Sequence, residues 1–168
     1  DMGFLTCYAG DFPKLLDALA DHGREIADLL AHYEGKPKLT SAELHNLMTI
    51  AMAATYDPDP SQPKGIRLPV DLYTGEFLPD RWPNWLRHDP LQLVQQPDCL
   101  DNLRSLRAVY IDCGSSDQYG LVYGARAFVR RLNEAEVSHR YEEFDDDHSG
   151  VDYRMDVSLP YLYNALMG

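Results

Sequence analysis

Cysteine is scarce and odd in number here: Cys7, Cys99 and Cys113 stand far apart, with no CxxC pair and no metal-ligand spacing. That excludes a secreted disulfide framework and leaves three reduced, small apolar residues, which points to a cytoplasmic setting. Positive charge is also short. Against 27 Asp and Glu there are 15 Lys and Arg, a formal net charge of -12. Nucleic acid and anionic membrane would both be repelled by such a surface, so neither is an expected partner. No apolar run approaches the ~20 residues of a membrane span. Internal repeats and low-complexity tracts are missing too. So is the GxSxG elbow of a serine hydrolase: none of Ser41, Ser61, Ser105, Ser115, Ser116, Ser138, Ser149 and Ser158 stands in such a strand-to-helix elbow. The chain opens on Asp1, and DMGFLTCY carries neither a basic region nor a signal core. The expectation is a piece of something longer.

What is present is an ordinary globular composition, 45% hydrophobic and 25% charged over 168 residues, the length of one domain. After a short irregular start over 1–10, apolar residues from Leu15 to Tyr33 recur at helical spacing. Pro13 suits the first turn, Gly23 marks a break into two helices, and Gly35 and Pro37 end the segment. In TSAELHNLMTIAMAATY, Thr40 and Glu43 fit a capping box. Leu44, Leu47, Met48, Ala51 and Met52 make its apolar stripe, expected to face a packed core. Five prolines between residues 57 and 80 forbid a continuous helix there, and the loop is expected to lie on an apolar surface. Short helical turns follow, with Trp82 and Trp85 as anchors, then a weak helix over CLDNLRSLR.

The texture changes at residue 107. AVYIDCG reads as a buried strand and QYGLVYGARAFVRRLNEAE as a helix with Tyr119, Tyr123, Ala127, Phe128 and Leu132 on one side. VSHRYEEF reads as a second strand, and VSLPYLYNALMG as a final helix capped by Asp156 with Pro160 in its first turn. Strand, helix, strand with tight connections predicts a right-handed parallel βαβ unit, so the fold class is α/β.

Ligands of open parallel sheets bind where loops leave the C-terminal strand ends. Two such loops are predicted: CGSSDQY with Asp117, and DDDHSG with His148. One helix and one strand separate the two residues, so both reach the same edge. That is the acid-and-histidine half of a Ser-Asp-His triad, in which the acid orients the imidazole and the imidazole takes the serine proton. Each residue also has a plainer reading. Asp117 suits a cap on the helix that follows, and His148 suits a surface turn. Asp145, Asp146, Asp147 and His148 suggest a metal cluster, but adjacent residues do not all converge on one ion, so no metal is expected. His22, His32, His45, His88 and His139 read as structural.

The stretches LRAVYIDCGSSDQYGLVYGARAFVRRL and HRYEEFDDDHSGVDYRMDVSLPYLYNAL, with the opening DMGF, resemble the C-terminal end of bacterial esterases of the α/β-hydrolase superfamily. The likeness is to the esterase D group, with S-formylglutathione hydrolases and enterochelin esterases, and is most specific over residues 105–168. The resemblance implies a single partial hydrolase domain over 1–168. Residues 1–10 would follow strand six, 11–104 would form a helical and loop insertion like a cap, and 105–168 would hold the last two strands and their flanking helices. It implies Asp117 and His148 as catalytic acid and histidine, a serine upstream of the chain, a small acyl ester or thioester as substrate, and no cofactor. Tyr73, Trp82 and Trp85 become candidate wall residues of the substrate site, with packing of the insertion as their alternative. A non-catalytic binding or structural domain on the same architecture is the competing function. With strand six missing, the strand at 107–113 would have an open edge, and self-association into a homo-oligomer is expected.

Overall fold

A computed structural model describes residues 9–168. The expected opening segment, with Cys7 and DMGF, lies outside the described residues up to Tyr8. The described residues form two compact units, one ending at His88 and the other running from Asp89 to Gly168. The boundary at residue 88 divides the expected insertion, so the short helices after Asp89 pack with the strands.

The unit that ends at His88 is helical. Helix α1 spans Phe12–Ala20, with a proline in its first turn, and α2 spans Ile26–Glu34. Between them the chain turns at Gly23 and Arg24, both with positive φ, which is easy for the glycine and strained for the arginine. Helix α3, Ser41–Tyr56, opens with the expected capping box. The Glu43 amide donates to Thr40 Oγ1 over 3.3 Å, and the Thr40 amide donates to Glu43 Oε2 over 2.8 Å.

The buried face of α3 differs from the expected one. Asn46, Thr49, Ile50 and Ala53 turn inward, while Leu44 and Met48 are exposed. Two stripes at helical spacing compete for the core. The more polar one goes inside because its polar groups are satisfied there. Asn46 donates to the Tyr33 hydroxyl over 3.0 Å, and Thr49 donates to the His45 carbonyl.

The proline-rich segment carries one 3-10 turn, Pro63–Gly65, and an antiparallel bridge between Val70 and Phe77. Leu68, Pro69 and Val70 are buried, so the loop lies on apolar surface as expected. Helix α4, Trp82–Leu86, brings Trp85 into an aromatic cluster with Phe12, Tyr56 and Trp82, at centroid distances of 5.5, 5.5 and 6.1 Å. Arg81 ties the start of α4 to the loop after α3 through Asp57, 2.8 Å away, and Asp59, 3.2 Å away.

The second unit starts with α5, Pro90–Leu93, capped by Asp89, and α6, Pro97–Ser105. Strand β1, Tyr110–Gly114, and strand β2, Arg140–Phe144, flank helix α7, Leu121–Glu134. The strands pair in parallel with Ile111 opposite Tyr141 and Gly114 opposite Phe144. A mixed helical chain with a small parallel sheet is α/β, as the sequence predicts. The sheet has two strands, and the other edge of β1 has no strand partner among the described residues.

Strand alternation sends Ile111 to one face and Tyr110 and Asp112 to the other. Ile111 joins a core of Val94, Leu132 and Val137, with Leu100, Leu103 and Phe128 against it. Helix α7 buries Val122, Gly124, Ala125 and Leu132, whereas Tyr123 and Tyr119, both expected on the packed side, are exposed. Leu132 and Phe128 of the expected stripe do pack on the core, while in the first turns of the helix Val122 and Ala125 take the buried side in place of the tyrosines.

The last helix, α8, spans Met155–Met167 and follows a 3-10 turn, Val151–Arg154. Asp156 does not cap it, and Pro160 falls inside it rather than in its first turn. The start is fixed by Arg154. Its guanidinium reaches Asp112 over 3.0 Å, Glu142 over 2.6 Å and the Tyr110 hydroxyl over 2.9 Å, and lies 4.6 Å from the centre of the Phe144 ring. Among the described residues, no helix is long and apolar enough to cross a membrane.

Candidate active site

Parallel pairing puts the loops after β1 and β2 at one end of the sheet, and backbone hydrogen bonds lock them together. The Ser115 amide donates to the Phe144 carbonyl over 2.8 Å, and the Ser116 amide donates to the Asp146 carbonyl over 3.0 Å. This approach is so close that only glycine fits at position 114. A Cβ there would meet the carbonyl oxygens of Asp146 and Asp147 at 2.4 and 2.5 Å. The sequence shows Gly114 as the end of a strand; its second role, as the point where two loops touch, depends on a residue 32 positions away.

Asp117 and His148 meet at this edge. His148 Nδ1 lies 2.9 Å from Asp117 Oδ2. The carboxylate side chain is 1% exposed and the imidazole 51% exposed, so the acid is enclosed and the histidine opens to solvent. The capping reading of Asp117 also has a counterpart in the structure. Its other oxygen, Oδ1, accepts from the Tyr119 amide over 2.9 Å and the Leu121 amide over 3.1 Å, at the start of α7. One carboxylate thus uses one oxygen to hold the turn and the other to hold the imidazole. The division fixes its orientation, since rotating the carboxylate would break three hydrogen bonds.

Two further residues hold His148. The Gln118 side-chain carbonyl accepts from the His148 amide over 2.9 Å, and its amide donates to Ser149 Oγ over 3.2 Å. The Tyr119 ring stands edge-on to the imidazole, with centroids 5.1 Å apart and planes 88° apart. Neither residue stands out in the sequence, because a Gln and a Tyr in a loop have no spacing rule that marks them.

A cavity of about 240 Å3 adjoins the pair, lined by β1 from Ile111 to Gly114 and by Leu121, Phe144 and Val151. Cys113 lies in this lining. Burial, reinforced by the charges of Asp117, Glu143 and Asp112, pushes its thiol up to about 11. It is a protonated thiol at neutral pH, the wrong state for a nucleophile. Cys99 and Cys113 are both free.

The acidic run beside His148 is spent on local structure. Asp146 accepts from the Tyr153 hydroxyl over 2.9 Å, and Asp147 accepts from the Ser149 amide over 2.6 Å. Among the described residues no group of three or more His, Cys, Asp or Glu side chains is arranged to hold a metal ion.

The expected wall residues all belong to the unit that ends at His88. Trp85 is 1% exposed, and it fills the aromatic core as its packing alternative has it. Trp82 is half-buried against Phe77, with ring centroids 4.5 Å apart. Tyr73 is the exposed one, and the Arg24 guanidinium lies 5.1 Å from its ring centre. The chain matches no family model and no curated protein.

Proposed function

We propose that this chain is the acid-and-histidine portion of a serine carboxyl-ester or thioester hydrolase on an α/β-hydrolase architecture, acting on a small acyl substrate. The nucleophilic serine comes from sequence outside these 168 residues. The observation that carries the reading is the 2.9 Å contact between a buried carboxylate and a half-exposed imidazole, on neighbouring loops at the C-terminal end of a parallel sheet.

The chemistry follows from that geometry. Asp117 Oδ2 accepts a hydrogen bond from Nδ1–H, which keeps the proton on Nδ1 and leaves Nε2 with a lone pair. Nε2 takes the proton of the serine as its oxygen attacks the acyl carbon. The imidazolium that forms is stabilised by the enclosed carboxylate. The same nitrogen returns the proton to the leaving alcohol or thiol, and later takes one from the water that releases the acyl group. The edge of β1 that has no strand partner among the described residues is where the rest of such a sheet, or a second copy of the chain, would pair.

The test uses the coding sequence immediately upstream. An in-frame GxSxG, a longer product that reacts with a fluorophosphonate at that serine, and a drop in kcat of about 10⁶-fold in its His148→Ala variant support the proposal. The 168-residue chain alone is expected to hydrolyse p-nitrophenyl acetate no faster than its His148→Ala variant. A nitrophenol burst near one per chain from the isolated protein would overturn the assignment of an external nucleophile. An upstream sequence with no serine elbow would favour a binding domain instead.

A further inference from the structure

We infer that Gln118 is the positioning residue of His148: it sets the backbone from which the imidazole reaches Asp117. The inference rests on the proposed Asp117–His148 pair and adds a residue to it. A single hydrogen bond at Nδ1 fixes one atom of the ring and leaves the ring free to swing about that atom. The structure supplies two more restraints. The Gln118 side-chain carbonyl takes the His148 amide at 2.9 Å, and its amide donates to Ser149 at 3.2 Å, so one side chain grips two successive residues of the opposite loop. The Tyr119 ring stands edge-on to the imidazole. Residues 117, 118 and 119 thus hold the ring nitrogen, the main chain and the ring plane in turn.

The three are presented together because the turn closes on itself. The Gly120 amide donates to the Asp117 carbonyl over 3.1 Å, with Gly120 at a φ of +70° that suits glycine. Gln118 is exposed, so it contributes little to any core. Its two hydrogen bonds go to the loop that carries the histidine, and that is the argument for positioning rather than packing.

The test is NMR of the isotope-labelled 168-residue chain at pH 8, reading the tautomer of His148 from its ring nitrogens and the exchange rate of its backbone amide. The unmodified chain should show the Nδ1–H tautomer and a protected amide. In Gln118→Ala the amide should exchange about tenfold faster, and the single tautomer should give way to a mixture. Gln118→Glu keeps an acceptor oxygen at the same reach and should restore both signals.

Asp117→Asn separates this inference from the one beneath it. Oδ1 is already taken by two backbone amides, so the new NH2 would face the ring and force the proton onto Nε2, while the His148 amide stays protected by Gln118. Gln118→Ala with an unchanged tautomer overturns the positioning role, whether or not the amide exchanges faster, and leaves the pair standing. An unmodified chain without the Nδ1–H tautomer overturns the pair itself.

Discussion

The two units solve the problem of burial differently. In the unit ending at His88, Leu15, Leu19, Leu29, Leu68 and Trp85 are all but sealed from water, and aromatic rings from α1, α3, α4 and the proline-rich loop meet edge to face. The unit from Asp89 onward buries Leu91, Val94, Val122, Ala125, Leu132 and Val137, but α8 buries none of its residues and leaves Met155, Leu159, Tyr163, Leu166 and Met167 exposed. Its cohesion is more polar: Arg154 bridges both strands to the turn before α8, and Arg126 grips Glu143 through two nitrogens at 2.8 and 2.6 Å. The lesson is one of division. The well-filled core belongs to one unit; the acid and histidine belong to the other, in which β1 has one edge with no strand partner among the described residues and α8 is exposed.

Core truncation should produce the largest effects and expose that contrast. Leu29 and Leu132 are both at 0% exposure, one in each unit. Each changed to Ala should cost about 2–5 kcal/mol in its own unit, while Leu159→Ala, on the exposed face of α8, should stay within about 0.5 kcal/mol. Both tryptophans, Trp82 and Trp85, precede Asp89. Fluorescence therefore follows the first unit, and far-ultraviolet dichroism follows both. Leu29→Ala should move the fluorescence transition in denaturant, and Leu132→Ala should move the dichroism while leaving the fluorescence midpoint in place. Coincident shifts in both variants would mean that the units unfold as one, and the contrast would collapse.

A smaller loss is expected at Gly114. An added methyl meets two backbone oxygens, which have no rotamer by which to retreat, so Gly114→Ala should destabilise the second unit by about 1–3 kcal/mol. It should also part the two loops and lengthen the contact between His148 and Asp117. A crystal structure of the variant, or the His148 ring-nitrogen resonances, would show it. An unchanged pair would mean that the loops are braced by Gln118 and the side-chain bonds more than by the backbone contact.

How much of this was legible in the sequence depends on the range of the cause. The capping box at Thr40 is local, a matter of three residues, and it forms as read. The break at Gly23 is local too. The parallel strands and the meeting of Asp117 with His148 follow from periodicity plus one topological rule, and that was enough to place two residues 31 apart within a hydrogen bond. The failures are choices between equals. Helix α3 offers two stripes of the same period. Asn46 finds Tyr33 of α2 on the inner side, and Thr49 closes its hydroxyl on the His45 carbonyl of its own helix. The start of α8 differs from the expected one because Arg154, not Asp156, fixes it, through Asp112 and Glu142, which come from two different strands. Gln118 escaped for the same reason, since its partners lie across the site.

The smallest expected effect is acid sensitivity, and it tests whether the polar cohesion of the second unit matters. Glu143 is held down to about 2, first by its hydrogen bonds to Arg126 and then by the Tyr141 hydroxyl. Glu43, in the other unit, is held down to about 2 by Lys36 and by the Thr40 amide. A carboxylate whose folded value lies below its unfolded value of about 4.5 binds fewer protons when folded. Its contribution to stability is therefore complete above that value and is lost as the pH falls from about 4.5 to about 2. Above pH 5 the two groups should contribute no slope. Both pairs are partly open to solvent, so the contribution is small and salt should reduce it. Melting curves between pH 5 and pH 2.5 should show Glu143→Gln flattening the decline seen by dichroism and leaving the fluorescence curve alone. Glu43→Gln should flatten the fluorescence curve. Arg126 gives Glu143 two hydrogen bonds with matched geometry, whereas Glu43 has one lysine and the amide and hydroxyl of Thr40, and planar two-point pairing is the stronger arrangement. If Glu143→Gln leaves the acid slope of the second unit untouched, the Arg126 pair adds nothing to acid stability, and the sheet is held by its backbone ladder, the Arg154 bridge and the small core around Leu132.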